Sequence, residues 1–107
     1  MEFVINGSVW RLQFVKPSNK HLQRSDGSWT LGVSDNNLKT VFIANNLSDH
    51  LQRKVLIHEL THVHAMEYNY YMPIEVEEIV ADFMSMYGTD IVYIADDILN
   101  SLLIGVA

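Results

Sequence analysis

Two histidines four residues apart bracket a glutamate in the segment His58-Glu59-Leu60-Thr61-His62. On a helix, four residues make just over one turn, so the two imidazoles project side by side and can share one metal ion. Glu59 then sits about 100° round the helix, beside the metal position. A carboxylate there serves as a base for a metal-activated water and not as a ligand, and a purely structural metal site has no use for it. Leu51, Val55, His58, His62 and Met66 follow helical spacing, so both histidines fall in an inward stripe. Two imidazoles turned toward an apolar interior need a polar partner.

Catalytic zinc normally has three protein ligands and one open position, so a third ligand must lie elsewhere. The extended motif with a glycine and a third histidine is not met, because Ala65 and Tyr68 occupy those positions. The next helical segment offers Glu75, Glu77 and Glu78. Of these only Glu78 has a carboxylate one turn later, Asp82; the matching positions for Glu75 and Glu77 are Ile79 and Ala81. The spacing therefore predicts Glu78 as the third ligand and Asp82 as the acceptor of the far N–H of one histidine. Glu75 and Glu77 are accounted for as acids favourable to a helix N-terminus. His64 points away from the pair, and His21 and His50 carry no spacing argument. Tyr68, Tyr70 and Tyr71 cluster after the motif, where a phenol could donate to an oxyanion, although packing at a loop is the use expected of most of them.

The elements that must position these groups divide at residue 47. Glu2 to Ile5 and Ser8 to Val15 flank Asn6-Gly7, a dipeptide suited to a tight hairpin, and Trp10, Leu12 and Phe14 alternate with polar residues. Lys16 to Ser28 reads as a loop or loosely paired arm. Trp29, Leu31 and Val33 alternate again, and Leu38 to Ala44 is a β-branched and aromatic run, so an antiparallel meander is expected over residues 1–47. Trp10, Phe14 and Trp29 are its expected aromatic core. Leu38 to Ala44, arriving just before the metal helix, is expected at the sheet edge beside the cleft. Residues 48–107 read as helices: one from the Ser48 cap through Met66, one from about Ile74 to Tyr87 that Gly88 ends, and one from Asp90 to about Leu103. The expected fold is α+β, a single domain with a small antiparallel sheet packed on two or three helices.

Composition narrows the class. The chain has 107 residues, 49% of them apolar and 19% charged, which fits one ordinary globular core. Cysteine is absent, which removes thiol chemistry and disulfides and fits a cytoplasmic protein. The N-terminal residues show no leader pattern, and no apolar run approaches a membrane span. Net charge is −6. All seven Lys and Arg fall in residues 1–54, while residues 55–107 hold nine acids and neither Lys nor Arg. Direct nucleic-acid binding is disfavoured, and a basic protein partner is compatible.

His58-Glu59-Leu60-Thr61-His62 followed by Glu78-Ile79-Val80-Ala81-Asp82 resembles the gluzincin pattern, HExxH and then ExxxD on the next helix, found in thermolysin-like enzymes. The short spacing is similar to that of the ImmA/IrrE minigluzincins, common in phages and mobile elements. The resemblance spans about Leu38 to Phe83. It implies a zincin core with the metal held between two helices, zinc as cofactor, and proteolysis of regulatory proteins such as repressors. On that basis His58, His62 and Glu78 are expected to bind zinc, Glu59 to act as general base, and a protein or peptide to be the substrate. The alternative is a non-catalytic acidic zinc-binding protein that regulates a basic DNA-binding partner by direct binding.

Overall fold

The computed structural model describes residues 1–103 as a small α+β domain. Asn6 and Gly7 take positive φ (48° and 79°) and join β1 (Glu2–Ile5) to β2 (Ser8–Val15) as an antiparallel hairpin with Ile5 opposite Ser8. That is the geometry an Asn-Gly turn favours. A second hairpin joins β3 (Gly32–Asp35) to β4 (Thr40–Ala44). Asp35 Oδ1 accepts the N–H groups of Asn37 and Leu38 at its turn, at 2.9 and 3.0 Å.

The two hairpins do not form the expected meander. Strand order is β1-β2-β4-β3, and β2 pairs with β4 in parallel, so the sheet is mixed. β4 is therefore an interior strand and β3 is the edge, which corrects the placing of Leu38 to Ala44 at the edge. The physical reason lies in β4 itself: all five of its residues are buried, as a continuous apolar run demands when both faces are covered. Val41 and Ile43 pack with Trp10 and Val63 under the first helix, while Phe42 and Ala44 pack with Leu22 on the opposite face. Leu22 comes from a 3-10 turn (Lys20–Leu22) in the crossover between β2 and β3, where Gln23 bridges to Trp29. The segment expected as a loop is thus the cover of the second face, and His21 stacks on Phe42 at 4.2 Å between ring centroids. Of the expected aromatic core only Trp10 is buried; Phe14 and Trp29 are 46% and 52% exposed.

Helix α1 (Asp49–Glu67) begins where Ser48 Oγ accepts the N–H of Leu51 (3.2 Å). It ends where Asn69 takes φ 51° and the N–H of Tyr70 reaches back to the Ala65 carbonyl (3.0 Å). Its last turn is tied to the sheet through Glu67. Oε1 of Glu67 accepts from Trp10 Nε1 and pairs with Lys39 Nζ, each at 2.7 Å, and the Glu67 carbonyl accepts from Asn6 Nδ2 at 2.9 Å.

Helix α2 (Ile74–Phe83) follows Pro73 and packs on α1. Gly88 does not end it. Met84–Gly88 forms a π turn that leads directly into α3 (Thr89–Leu103), making one long interrupted helix. Gly88 is buried because a Cβ there would lie 2.6 Å from Met84 Cε, so the missing side chain admits Met84 instead of breaking the helix. Arg53 Nη2 donates to Thr89 Oγ1 (2.9 Å) at the junction. Beyond it, every residue from Thr89 to Asn100 is exposed. No described helix is long and apolar enough to cross a membrane.

Candidate metal centre

α1 presents His58 and His62 on one face, one turn apart, with ring centroids 4.9 Å from each other. α2 lays Glu78 across both Nε2 atoms: Oε1 is 2.8 Å from His62 Nε2 and Oε2 is 3.5 Å from His58 Nε2. One ligand atom from each of the three residues lies within 4.8 Å of the others. The three residues named from the sequence are thus brought together.

The outer nitrogens carry the electrostatic argument. His58 Nδ1 is 3.0 Å from Asp82 Oδ1, and His62 Nδ1 is 2.8 Å from Glu77 Oε1. Each Nδ1–H therefore donates to a carboxylate, which leaves both Nε2 lone pairs facing inward. Those two atoms are 3.2 Å apart with the Glu78 carboxylate against them. In that tautomer the two Nε2 atoms and the Glu78 carboxylate turn three electron-pair donors toward one point, the arrangement a shared cation requires. Two imidazoles and one carboxylate, each imidazole backed by a second carboxylate, form a donor set that suits zinc.

Asp82 contacts His58 as expected. Glu77 was not expected at the site and corrects its assignment to the helix terminus alone: it is the partner of the more buried histidine, its own side chain 15% exposed. Glu77 and Glu78, about 100° apart on α2, reach the two different nitrogens of the same His62 ring.

Glu59 is buried beside the triad, 7% exposed. Ser34 Oγ on the edge strand β3 lies 2.9 Å from Glu59 Oε1 and 3.0 Å from the Glu59 carbonyl, so its single proton serves both acceptors. Burial pushes the Glu59 carboxyl above its ordinary 4.5, against the downward pull of the Ser34 hydrogen bond and of the two histidines. β3 comes this close because of Gly32, where a Cβ would meet Val55 Cγ1 at 2.7 Å and Glu59 Cγ at 3.1 Å. A glycine inside a strand pattern signals such an approach, so this contact was open to sequence reading.

The triad lies in an open cleft whose two lobes, about 480 and 540 Å³, share Arg24, Thr30, Gly32, His58, Glu59 and Glu78 as walls. The exposed Trp29 lines one lobe. Tyr68, Tyr70 and Tyr71 are 57%, 69% and 89% exposed and line a separate groove with Ala65 and Met72; none lines the cleft. His64 Nδ1 donates to the Leu60 carbonyl of its own helix (2.7 Å), and the residue is exposed.

No protein-family model matches the chain, and no curated protein or solved structure shows significant similarity to it.

Proposed function

We propose that the protein is a cytoplasmic zinc-dependent endopeptidase of the gluzincin type, acting on a regulatory protein. The observation that carries this reading is the convergence of two inward Nε2 atoms and the Glu78 carboxylate beside a buried acid, Glu59, that is not one of the three clustered residues. His58, His62 and Glu78 would hold the zinc ion, and the ion supplies Lewis-acid polarisation of a water and of a peptide carbonyl. Asp82 and Glu77 hold the two imidazoles in the tautomer that ligation needs. Glu59 takes the proton of the attacking water and delivers it to the leaving amine nitrogen as the C–N bond breaks. Its displaced ordinary affinity for that proton follows from burial.

The edge strand supports an extended peptide as substrate. The Ala44 N–H bonds the Leu31 carbonyl (3.0 Å), and antiparallel alternation then turns the main-chain groups of Gly32 and Ser34 away from β4, toward the cleft they line. A peptide pairing there lies across Glu59 and the triad. Recognition through main chain favours flexible segments over folded domains.

The test is cleavage of an unstructured protein by zinc-loaded wild type and by Glu59→Gln, with zinc content measured in both. Wild type is expected to cut, and Glu59→Gln to retain zinc and lose cutting. Loss of zinc from Glu59→Gln equal to that from His58→Ala would overturn the base role. A zinc-loaded wild type inert toward every substrate would favour the non-catalytic acidic zinc protein.

A further inference from the structure

The long helix formed by α2, the π turn and α3 carries an apolar stripe that nothing in the described residues covers. Ile79, Phe83, Tyr87, Ile91, Ile94, Ile98 and Leu102 succeed one another at intervals of four or three residues and are each 49% to 68% exposed. In an uninterrupted α-helix, steps of four drift by about 40° each and would wind the stripe round the axis. The π turn at Met84–Gly88 adds one residue to its turn and rotates α3 back by about 100°, which returns Ile91 to the line of Ile79 and Phe83. Phe83 and Tyr87 meet across that turn, ring centroids 5.3 Å apart. The stripe is about 35 Å long at 1.5 Å per residue. A patch of this extent on a soluble chain marks an interaction surface.

Charge identifies the occupant. Of the residues immediately preceding its members, Glu78 and Asp82 are engaged with the histidines, Met86, Tyr93 and Ser101 are uncharged, and Asp90 and Asp97 are exposed acids seven residues apart. No Lys or Arg lies in residues 55–107, and Arg53, from α1, reaches only the start of α3, where it donates to Thr89 Oγ1. A second copy is a poor match, since an antiparallel pairing sets acidic edge against acidic edge and a parallel one supplies no cation. An anionic lipid surface is repelled. We propose that the stripe docks an amphipathic helix of another protein whose apolar face is flanked by Lys or Arg at seven-residue spacing, facing Asp90 and Asp97. The helix would lie along α2 and α3 with one end beside the cleft. This docking is independent of any hydrolysis at the metal centre.

The probe is a fluorescein-labelled synthetic helix of 24 residues, leucine at the two core positions of each heptad and lysine flanking them, its lysines keeping it monomeric; a second peptide carries glutamate in their place. Anisotropy titration with the full chain is expected to give saturable binding of the lysine peptide and at least tenfold weaker binding of the glutamate peptide. Ile98→Asp, at an exposed position, should remove binding, and Asp90→Asn with Asp97→Asn should weaken it about tenfold at low salt, both with unchanged circular dichroism and zinc affinity. Equal affinity for the two peptides, no binding of either, or binding that survives Ile98→Asp would overturn the proposal. Sedimentation showing a dimer that Ile98→Asp dissociates would overturn it in favour of a second copy.

Discussion

Ser34 Oγ stands 2.9 Å from Oε1 of Glu59, linking the edge strand of the sheet to the acid beside the paired histidines. The same hydroxyl is 3.0 Å from the Glu59 carbonyl, so strand and helix are held at the residue whose orientation matters most. Ser34→Ala should leave zinc affinity unchanged and lower kcat about tenfold with little change in KM, because a positioned base contributes in the transition state and not to substrate binding. Ser34→Thr keeps the hydroxyl on a β-branched residue suited to a strand and should restore most of kcat. A matched rise in KM for both variants would make Ser34 a contact to substrate instead.

The two carboxylates behind the histidines should behave alike. Asp82→Ala and Glu77→Ala are each expected to weaken zinc by about 10–100-fold, while Glu75→Ala changes nothing. Competition with a chelator measures all three. Glu77→Ala should have the larger effect of the pair, since the Glu77–His62 contact is the shorter and more buried one. Affinities of Glu77→Ala and Glu75→Ala that coincide would return Glu77 to the helix terminus.

If His58, His62 and Glu78 hold zinc as proposed, loading the metal should stabilise the folded chain. Zinc at 1,000 times its dissociation constant stabilises by about 4 kcal/mol if it binds only the folded chain. The thermal midpoint of wild type should rise accordingly, and that of His62→Ala should not respond.

The site was more legible than the sheet, for physical reasons. Helical spacing alone brings His58, Glu59 and His62 together, since neighbouring turns of one helix need no tertiary information. Glu78 and Asp82 were reachable because they stand one turn apart on one helix, a spacing that local sequence carries. Ser34 and Arg24 reach the site through strand order, and strand order depends on pairings between distant segments that no local pattern encodes. The five buried residues of β4 did carry a local signal, an unbroken apolar run, which argues for an interior strand against the edge position expected of it. Gly88 misled in the opposite way. Its side-chain vacancy is filled by Met84 within the same helix, so a residue that usually stops a helix here permits a π turn.

Acid should loosen the tie between α1 and the sheet. The Lys39 ammonium, with hydrogen bonds from Ser8 and Trp10, holds the Glu67 carboxyl at about 2, below its ordinary 4.5. A carboxylate depressed in the folded state stabilises above the unfolded value and loses that contribution as pH falls toward the folded one. Wild type should therefore be more stable than Glu67→Gln at pH 7, and the gap should shrink from about pH 5 downward. Urea unfolding of both proteins across that range is the measurement; a gap independent of pH would remove the ion pair from the account.

Gly32 sets how closely the edge strand approaches the metal helix. A Cβ there would lie 2.7 Å from Val55 Cγ1, closer than side chains tolerate, and 3.1 Å from Glu59 Cγ. Gly32→Ala must therefore push β3 away from α1 or rotate Val55, at a cost of about 1–3 kcal/mol for an overpacked contact. Displacing β3 also carries Ser34 away from Glu59, so the variant should lose kcat while retaining zinc, since the proposed ligands His58, His62 and Glu78 are on α1 and α2. Val55→Ala removes the methyl that the new Cβ strikes. In the double variant, Gly32→Ala with Val55→Ala, the loss should fall short of the sum of the two single losses by about 1 kcal/mol or more, the signature of two groups competing for one space. Strict additivity in urea unfolding would mean that β3 and α1 separate for some other reason, and the approach of Gly32 would then have no part in orienting Glu59.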